Sequence, residues 1–261
     1  MSRKETLAQI KGGGGHTVAL RRARLMRARR IALLIGVIAL IALGFLVYNL
    51  FFQKHSETPL DSVQIKSVAE SESADVDLLV LVNKNNKLPD DYRVDLTALG
   101  EQKVASVLLN DLKDMRDAAA SDGVSLYITS AYRSTAEQEQ VFRETVDDYV
   151  SQGYSAEIAE DLAARPGYSE HETGLAIDFS LDGNAQKQAE MWNWLSLNAH
   201  NFGFILRYPE NARHITGYRA EAWHYRYVGK EHAKAIYEQG VTLEEYLGKV
   251  VEFEVPMDLS P

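Results

Sequence analysis

The 261-residue sequence predicts an α+β fold, a central antiparallel sheet with flanking helices, preceded by one membrane-spanning helix. Three observations carry that expectation. Short stretches alternate apolar and polar residues as strands do, and longer ones space their apolar residues as helices do. The two kinds are interspersed without regular βαβ repetition, which disfavours a doubly wound parallel sheet. Residues 31–52 (IALLIGVIALIALGFLVYNLFF) carry no formal charge; at about 1.5 Å per residue they can cross a hydrocarbon core of roughly 30 Å.

Residues 1–30 contain a GGGG run and a cluster formed by Arg21, Arg22, Arg24, Arg27, Arg29 and Arg30. The positive-inside rule puts that cluster in the cytoplasm and the bulk of the chain outside the cell membrane. No small-x-small cleavage site follows the apolar stretch, so an uncleaved single-pass anchor is expected rather than a signal peptide. Residues 1–30 then form a cytoplasmic tail, 31–52 the anchor and 53–75, rich in Ser and Glu, an extracytoplasmic spacer. The folded domain is expected over 76–261.

Charge and composition narrow its chemistry. Residues 53–261 hold 19 of the 28 Lys and Arg and 36 of the 37 Asp and Glu, a net −17. Phosphate binding needs a basic surface, so no nucleic-acid partner is expected. Cysteine is absent. Disulfides, thiolate nucleophiles and Cys-ligated metal are thereby excluded, leaving His, Asp and Glu as metal ligands.

Along the domain, residues 78–82 read as a strand, followed by the turn-rich NKNNKLPDDY. Apolar residues at Leu99, Val104, Val107, Leu108, Leu112, Met115 and Ala119 follow helical spacing, and Gly123 ends that helix. Val124, Leu126 and Ile128 alternate as a half-buried strand. Ser134 with Glu137 is a capping-box signature opening a helix through about Tyr149, with Gln138 in its first turn. Another helix runs from Ser155 and stops before Pro166. Leu175, Ile177 and Phe179 alternate with Ala176 and Asp178, a strand whose second face carries a carboxylate. An aromatic-rich helix over 185–203 closes at Gly203, and a short strand follows at 204–208. Trp223, Tyr225 and Tyr227 alternate with His224 and Arg226 in a further strand, and terminal helices start near Lys230 and Thr242.

Three stretches combine imidazole, carboxylate and guanidinium groups: SAYRS (130–134), SEHETGLAID (169–178) and EAWHYRYVG (221–229). A hydrolytic zinc site needs three nitrogen or oxygen ligands, an open position and a nearby base. His171, Asp178 and His224 can supply the ligands, and Glu221 the base. Glu221 and His224 are three apart and would face opposite ways in an unbroken strand, so Glu221 is expected in the preceding loop or at a bulge.

In these stretches the sequence resembles the VanY-type D,D-carboxypeptidases and related L,D-carboxypeptidases, zinc peptidases of the cell wall. The resemblance runs from about Leu79 to Gly229. The family pattern SxHxxGxAxD is matched by His171 and Asp178 as ligands, and ExxWH by Glu221 as base and His224 as third ligand. SxYRS is matched by Arg133 at the scissile carbonyl, with Tyr132 beside it. Carried over the same way, Ser169, Gln138 and Tyr132 become substrate contacts. One departure stands out: the common family form has Pro where this chain has Ala222, which leaves every reactive group in place.

The resemblance implies a Hedgehog/D,D-peptidase-like fold and one zinc ion as cofactor. It also implies removal of the terminal D-Ala from peptidoglycan stem peptides, with no protein partner required. Cleavage of the L,D bond of tetrapeptide stems uses the same residues and is the alternative. A catalytically inactive wall-binding or sensor domain is the alternative from another class, disfavoured because base and ligands are all present. HETGL is no zincin helix, since position 175 is Leu where a second His would stand. No S-x-x-K occurs for a serine mechanism. His200, His214 and His232 lack such company and are expected to be structural or solvated.

Overall fold

The structure, a computed structural model, describes residues 58–59 and 76–254. The expected cytoplasmic tail, the anchor and most of the spacer lie outside the described residues. No helix among the described residues is long and apolar enough to cross a membrane. In chain order the elements are β1 (Thr58–Pro59), β2 (Leu96–Leu99), β3 (Gln102–Ala105), α1 (Leu109–Ser121), β4 (Tyr127–Ser130), α2 (Thr135–Ser151) and α3 (Ala156–Leu162). Then come β5 (Ala176–Phe179), α4 (Ala185–Asn198), β6 (Phe204–Tyr208), α5 (Arg213–Thr216), β7 (Glu221–Tyr227), α6 (Lys230–Gln239) and α7 (Leu243–Tyr246).

The main sheet has strand order β1-β4-β5-β7-β6, and β2 pairs with β3 in a separate hairpin. Every pairing in both sheets is antiparallel. Thr58–Pro59, inside the stretch expected as a spacer, pair with Ile128 and Tyr127 of β4.

Alternation sorts β5 and β7 into two faces. Ile177 lies opposite Tyr225, and with Phe179 and Tyr227 they join the main core beneath α1 and α4, where Leu112, Met115, Leu126 and Leu195 are fully buried. Each such side chain contributes roughly 1.5–3 kcal/mol by leaving water. The opposite face carries Asp178 beside His224 and Ala176 beside Arg226. One sheet thus holds its core on one side and its polar groups on the other.

Several sequence expectations need correction. Residues 78–82 form no strand although Val80, Leu81 and Val82 are buried. Their carbonyls have another partner, because the Arg226 guanidinium donates to Leu78 O (3.0 Å) and Val80 O (2.9 Å). The first long helix starts at Leu109, not Leu99. Residues 96–105 fold instead as the β2–β3 hairpin, turning at Gly100 with φ 64°; Leu99 and Val104 fit helical spacing only by coincidence. The strand expected at 124–128 lies at Tyr127–Ser130, and the short α5 went unanticipated. The helices opening at Ser134 and Ser155, the strand 204–208 and the two terminal helices lie where the pattern put them.

Candidate metal centre and catalytic cleft

The polar face of the sheet assembles the site by register. Ser130 of β4, Asp178 of β5 and His224 of β7 are cross-strand neighbours in one row. Neighbours on the same face of a sheet meet directly, and His224 Nδ1 lies 2.9 Å from Asp178 Oδ1.

His171 arrives from a single 3-10 turn, Glu170–Thr173, which ends on Gly174 at φ 73°. Glycine is required there. A Cβ would sit 3.0 Å from Leu96 Cδ2 and 3.3 Å from the Ala105 nitrogen, besides the strain of the left-handed conformation. The turn brings His171 Nε2 to 3.2 Å from Asp178 Oδ2. His171, Asp178 and His224 each offer a ligand atom, and these atoms lie within 4.8 Å of one another.

The remaining ring nitrogens fix how the imidazoles face. His171 Nδ1 donates to Ala131 O at 2.6 Å, leaving the Nε2 lone pair toward Asp178. His224 is turned the other way: Nε2 donates to Glu170 Oε2 at 3.3 Å, leaving Nδ1 toward the centre. Such outer hydrogen bonds set the tautomer and raise ligand basicity.

Glu170 is itself held by Arg207 Nε (2.7 Å) and Arg226 Nη1 (2.9 Å), both on Oε1. Burial by itself would raise the Glu170 carboxyl, but the two guanidiniums and His224 more than offset it and hold it well below the usual range. Asp178 behaves alike, with His171 and His224 overriding the effect of burial. Burial lowers His171. In His224 burial also opposes the proton, yet the hydrogen bonds to Asp178 and Glu170 prevail and push it up to about 9.

Glu221 Oε2 lies 3.9 Å from His224 Nδ1. The residue is in β7 itself, at an irregularity: Leu206 faces Tyr225 while Tyr208 faces Glu221, so two steps along β6 match four along β7. That break in alternation lets residues three apart line one cleft. Burial, ahead of its charged neighbours, pushes the Glu221 carboxyl up to about 7.

The cleft has a volume of about 210 Å³ and is lined by Arg133, Gln138, Ser169, Glu221 and Trp223 among others. Arg133 donates from Nε to Gln138 Oε1 (2.9 Å) and from Nη1 to Ser130 Oγ (2.9 Å). Gln138 in turn donates to Ala164 O at 2.7 Å. Its amide therefore orients Arg133 from a position that itself lines the cleft. The capping box of Ser134 and Glu137 starts α2 immediately before Gln138 and sets that geometry.

Tyr132, also expected at the substrate, lies instead in a neighbouring depression with Lys87, Tyr92 and Pro166. Arg133 lines the catalytic cleft and Tyr132 lines the depression beside it. His200 stacks on Tyr237, His232 bonds Tyr246 and the His214 carbonyl accepts from Phe253, all away from the centre. Sequence reasoning missed Glu170, Arg207, Arg226 and Glu244. The usable signal was an arginine within each of the strands FILRY and WHYRY, since a buried guanidinium needs carboxylates around it.

Two imidazoles, a carboxylate and a further carboxyl group beside them form a donor set suited to a divalent metal of the zinc type. Architecture and site together define a metallohydrolase. The family model VanY, D-alanyl-D-alanine carboxypeptidase, matches residues 101–230. A D-alanyl-D-alanine carboxypeptidase of Enterococcus faecalis is 43% identical over 174 residues, 65% of this chain and 65% of that protein. YodJ of Bacillus subtilis is 36% identical over 219 residues, 76% of this chain and 78% of that protein. The chain belongs to the VanY family of carboxypeptidases.

Among solved structures, the vancomycin-resistance D,D-pentapeptidase VanY in complex with Zn(II) matches with a TM-score of 0.61 at 43% identity, covering 65% of this chain and 98% of that one. VanYB in complex with D-alanine-D-alanine gives 0.62 at 42%, covering 65% and 97%. The LD-carboxypeptidase LdcB gives 0.58 at 37%, covering 67% and 87%.

Proposed function

We propose that the protein is a zinc-dependent D-alanyl-D-alanine carboxypeptidase that removes the C-terminal D-Ala from peptidoglycan stem peptides. The observation that carries this reading is the convergence of the His171, Asp178 and His224 donor atoms beside an elevated carboxyl at Glu221. A zinc ion held by these three residues supplies the Lewis acidity that acidifies water and polarises a peptide carbonyl.

The chain's own groups do the rest. Glu221, with a carboxyl near the operating pH, accepts the proton of the attacking water and returns it to the departing amine nitrogen. Arg133, with Nε and Nη1 fixed by Gln138 and Ser130, presents Nη2 to the scissile carbonyl as charge builds there. Ser169, buried at the cleft wall, binds the substrate's terminal carboxylate, which restricts cleavage to chain ends. The 31–52 segment anchors the domain outside the cell, with the arginine cluster inside. Protease treatment of intact cells that spares residues 76–254 would contradict that orientation.

The direct test is release of D-Ala from pentapeptide stems by the purified protein, with and without a chelator. Activity should vanish on metal removal and return with zinc. Glu221→Gln should lower kcat by about 10²–10⁴ with zinc content unchanged. Full turnover in metal-free protein or in Glu221→Gln removes the mechanism. The likeness to LdcB supports a second reading, cleavage of the L,D bond in tetrapeptide stems. The same panel, with tetrapeptides included, separates the two.

A further inference from the structure

Behind His224 lies a sealed group of four charges contributed by four separate segments. Glu170, Arg207, Arg226 and Glu244 are all 0–2% exposed, and their formal charges cancel. Arg207 divides its donors: Nε goes to Glu170 Oε1 (2.7 Å), while Nη1 and Nη2 form a two-pronged pair with Glu244 Oε2 (2.9 Å) and Oε1 (2.6 Å). Asn83 adds a bond to Glu244 Oε1 at 3.1 Å.

Glu170 divides its oxygens likewise. Oε1 serves both guanidiniums, and Oε2 is thereby left for the His224 imidazole at 3.3 Å. That division depends on the Arg207 fork being fully occupied elsewhere. A buried guanidinium cannot leave N–H groups unmet. If Glu244 is lost, the freed Nη groups compete for the carboxylate that remains bonded to Arg207, Glu170, whose second oxygen is the one that His224 uses.

We propose that Glu244, which lies beyond the 101–230 family match and is not among the residues lining the cleft, is a positioning residue for the metal centre. By saturating Arg207 it reserves Glu170 for His224, and so holds the His224 ring with Nδ1 toward Asp178 and His171. The short helix α7, which carries Glu244 and is started by its own Thr242–Glu245 capping box, is then part of the metal site. The inference rests on reading His171, Asp178 and His224 as zinc ligands.

The test is zinc affinity of the purified protein, measured by competition with a chromophoric chelator. Wild-type protein that binds no zinc refutes the ligand reading itself. If it binds, Glu244→Gln, which keeps the shape and removes the charge, should bind zinc about 10- to 100-fold more weakly, the usual cost of disturbing a ligand's outer partner. Lys234→Ala, which removes the exposed ion pair with Glu238 on α6 and touches none of the four buried charges, should leave the zinc affinity unchanged.

The double variant Arg207→Met with Glu244→Leu removes the competing guanidinium together with its partner. Its affinity should return to within about threefold of wild type, a coupling that a merely structural role would not produce. It also provides the folded comparison if Glu244→Gln alone fails to fold. Wild-type affinity in folded Glu244→Gln, or a double variant no better than the weakest single one, overturns the proposal.

Discussion

Raising the pH on metal-free protein is the perturbation whose outcome the site fixes most tightly. His224 is pushed up to about 9 in the folded chain, burial notwithstanding, by its bonds to Asp178 and Glu170, whereas an unfolded histidine titrates near 6.5. Between those values the folded state holds a proton that the unfolded state has released. Stability therefore falls by about 1.4 kcal/mol per pH unit. The contribution is fully present below about pH 6.5 and is lost as pH rises through about 9, roughly 3 kcal/mol in all.

Glu221, pushed up to about 7, acts in the same direction, but its effect is essentially complete by about pH 7.5. Urea unfolding of metal-stripped protein between pH 7.5 and 9 isolates His224, and about 2 kcal/mol should disappear there. Asp178→Asn, which removes the main charged partner, should flatten the slope. Saturating zinc should do so too, because a ligating imidazole carries no proton on the bonding nitrogen. Metal-free stability that is level or rises from pH 7.5 to 9, or a fall that survives Asp178→Asn, refutes the account of the His224 environment.

Two further outcomes are expected. Arg133→Ala should lower kcat/KM by about 10²–10³, read as steady-state D-Ala release, while leaving zinc affinity intact, because the guanidinium bonds Gln138 and Ser130 and the contact with His171 is made by the Arg133 backbone N–H, which alanine keeps. Gly203→Ala should cost about 2 kcal/mol or more in thermal unfolding, since φ is 87° and a Cβ would stand 2.6 Å from Tyr227 Cε2 and 3.1 Å from the Gly229 carbonyl carbon; unaltered stability contradicts that packing.

Where periodicity or capping chemistry was local, the chain could be read directly. Ser134 and Ser155 each accept from the backbone N–H three residues on, and the short run after Gly203 forms the strand Phe204–Tyr208. The donor triad was legible because each ligand sits in a dense polar stretch amid apolar neighbours. What failed depended on distant partners. Leu78 and Val80 look like strand residues, and only the arrival of Arg226 takes their carbonyls. Nothing local reveals that Gln138 bonds Ala164 O and holds Arg133. Nothing local shows that Tyr132 lines a depression beside the cleft and not the cleft itself. Glu244 carries no local mark at all; its significance comes entirely from Arg207, 37 residues earlier.

The uneven pairing of β6 with β7 has a corollary for sequence change. His224 keeps strict register with Asp178 on one side, while on the other side the chain between Tyr225 and Glu221 is longer than its companion. That slack is confined to Ala222 and Trp223. Insertions or deletions at these two positions would leave metal donors undisturbed yet swing the acid out of reach, so natural variants that retain zinc but have lost hydrolysis should carry length changes here.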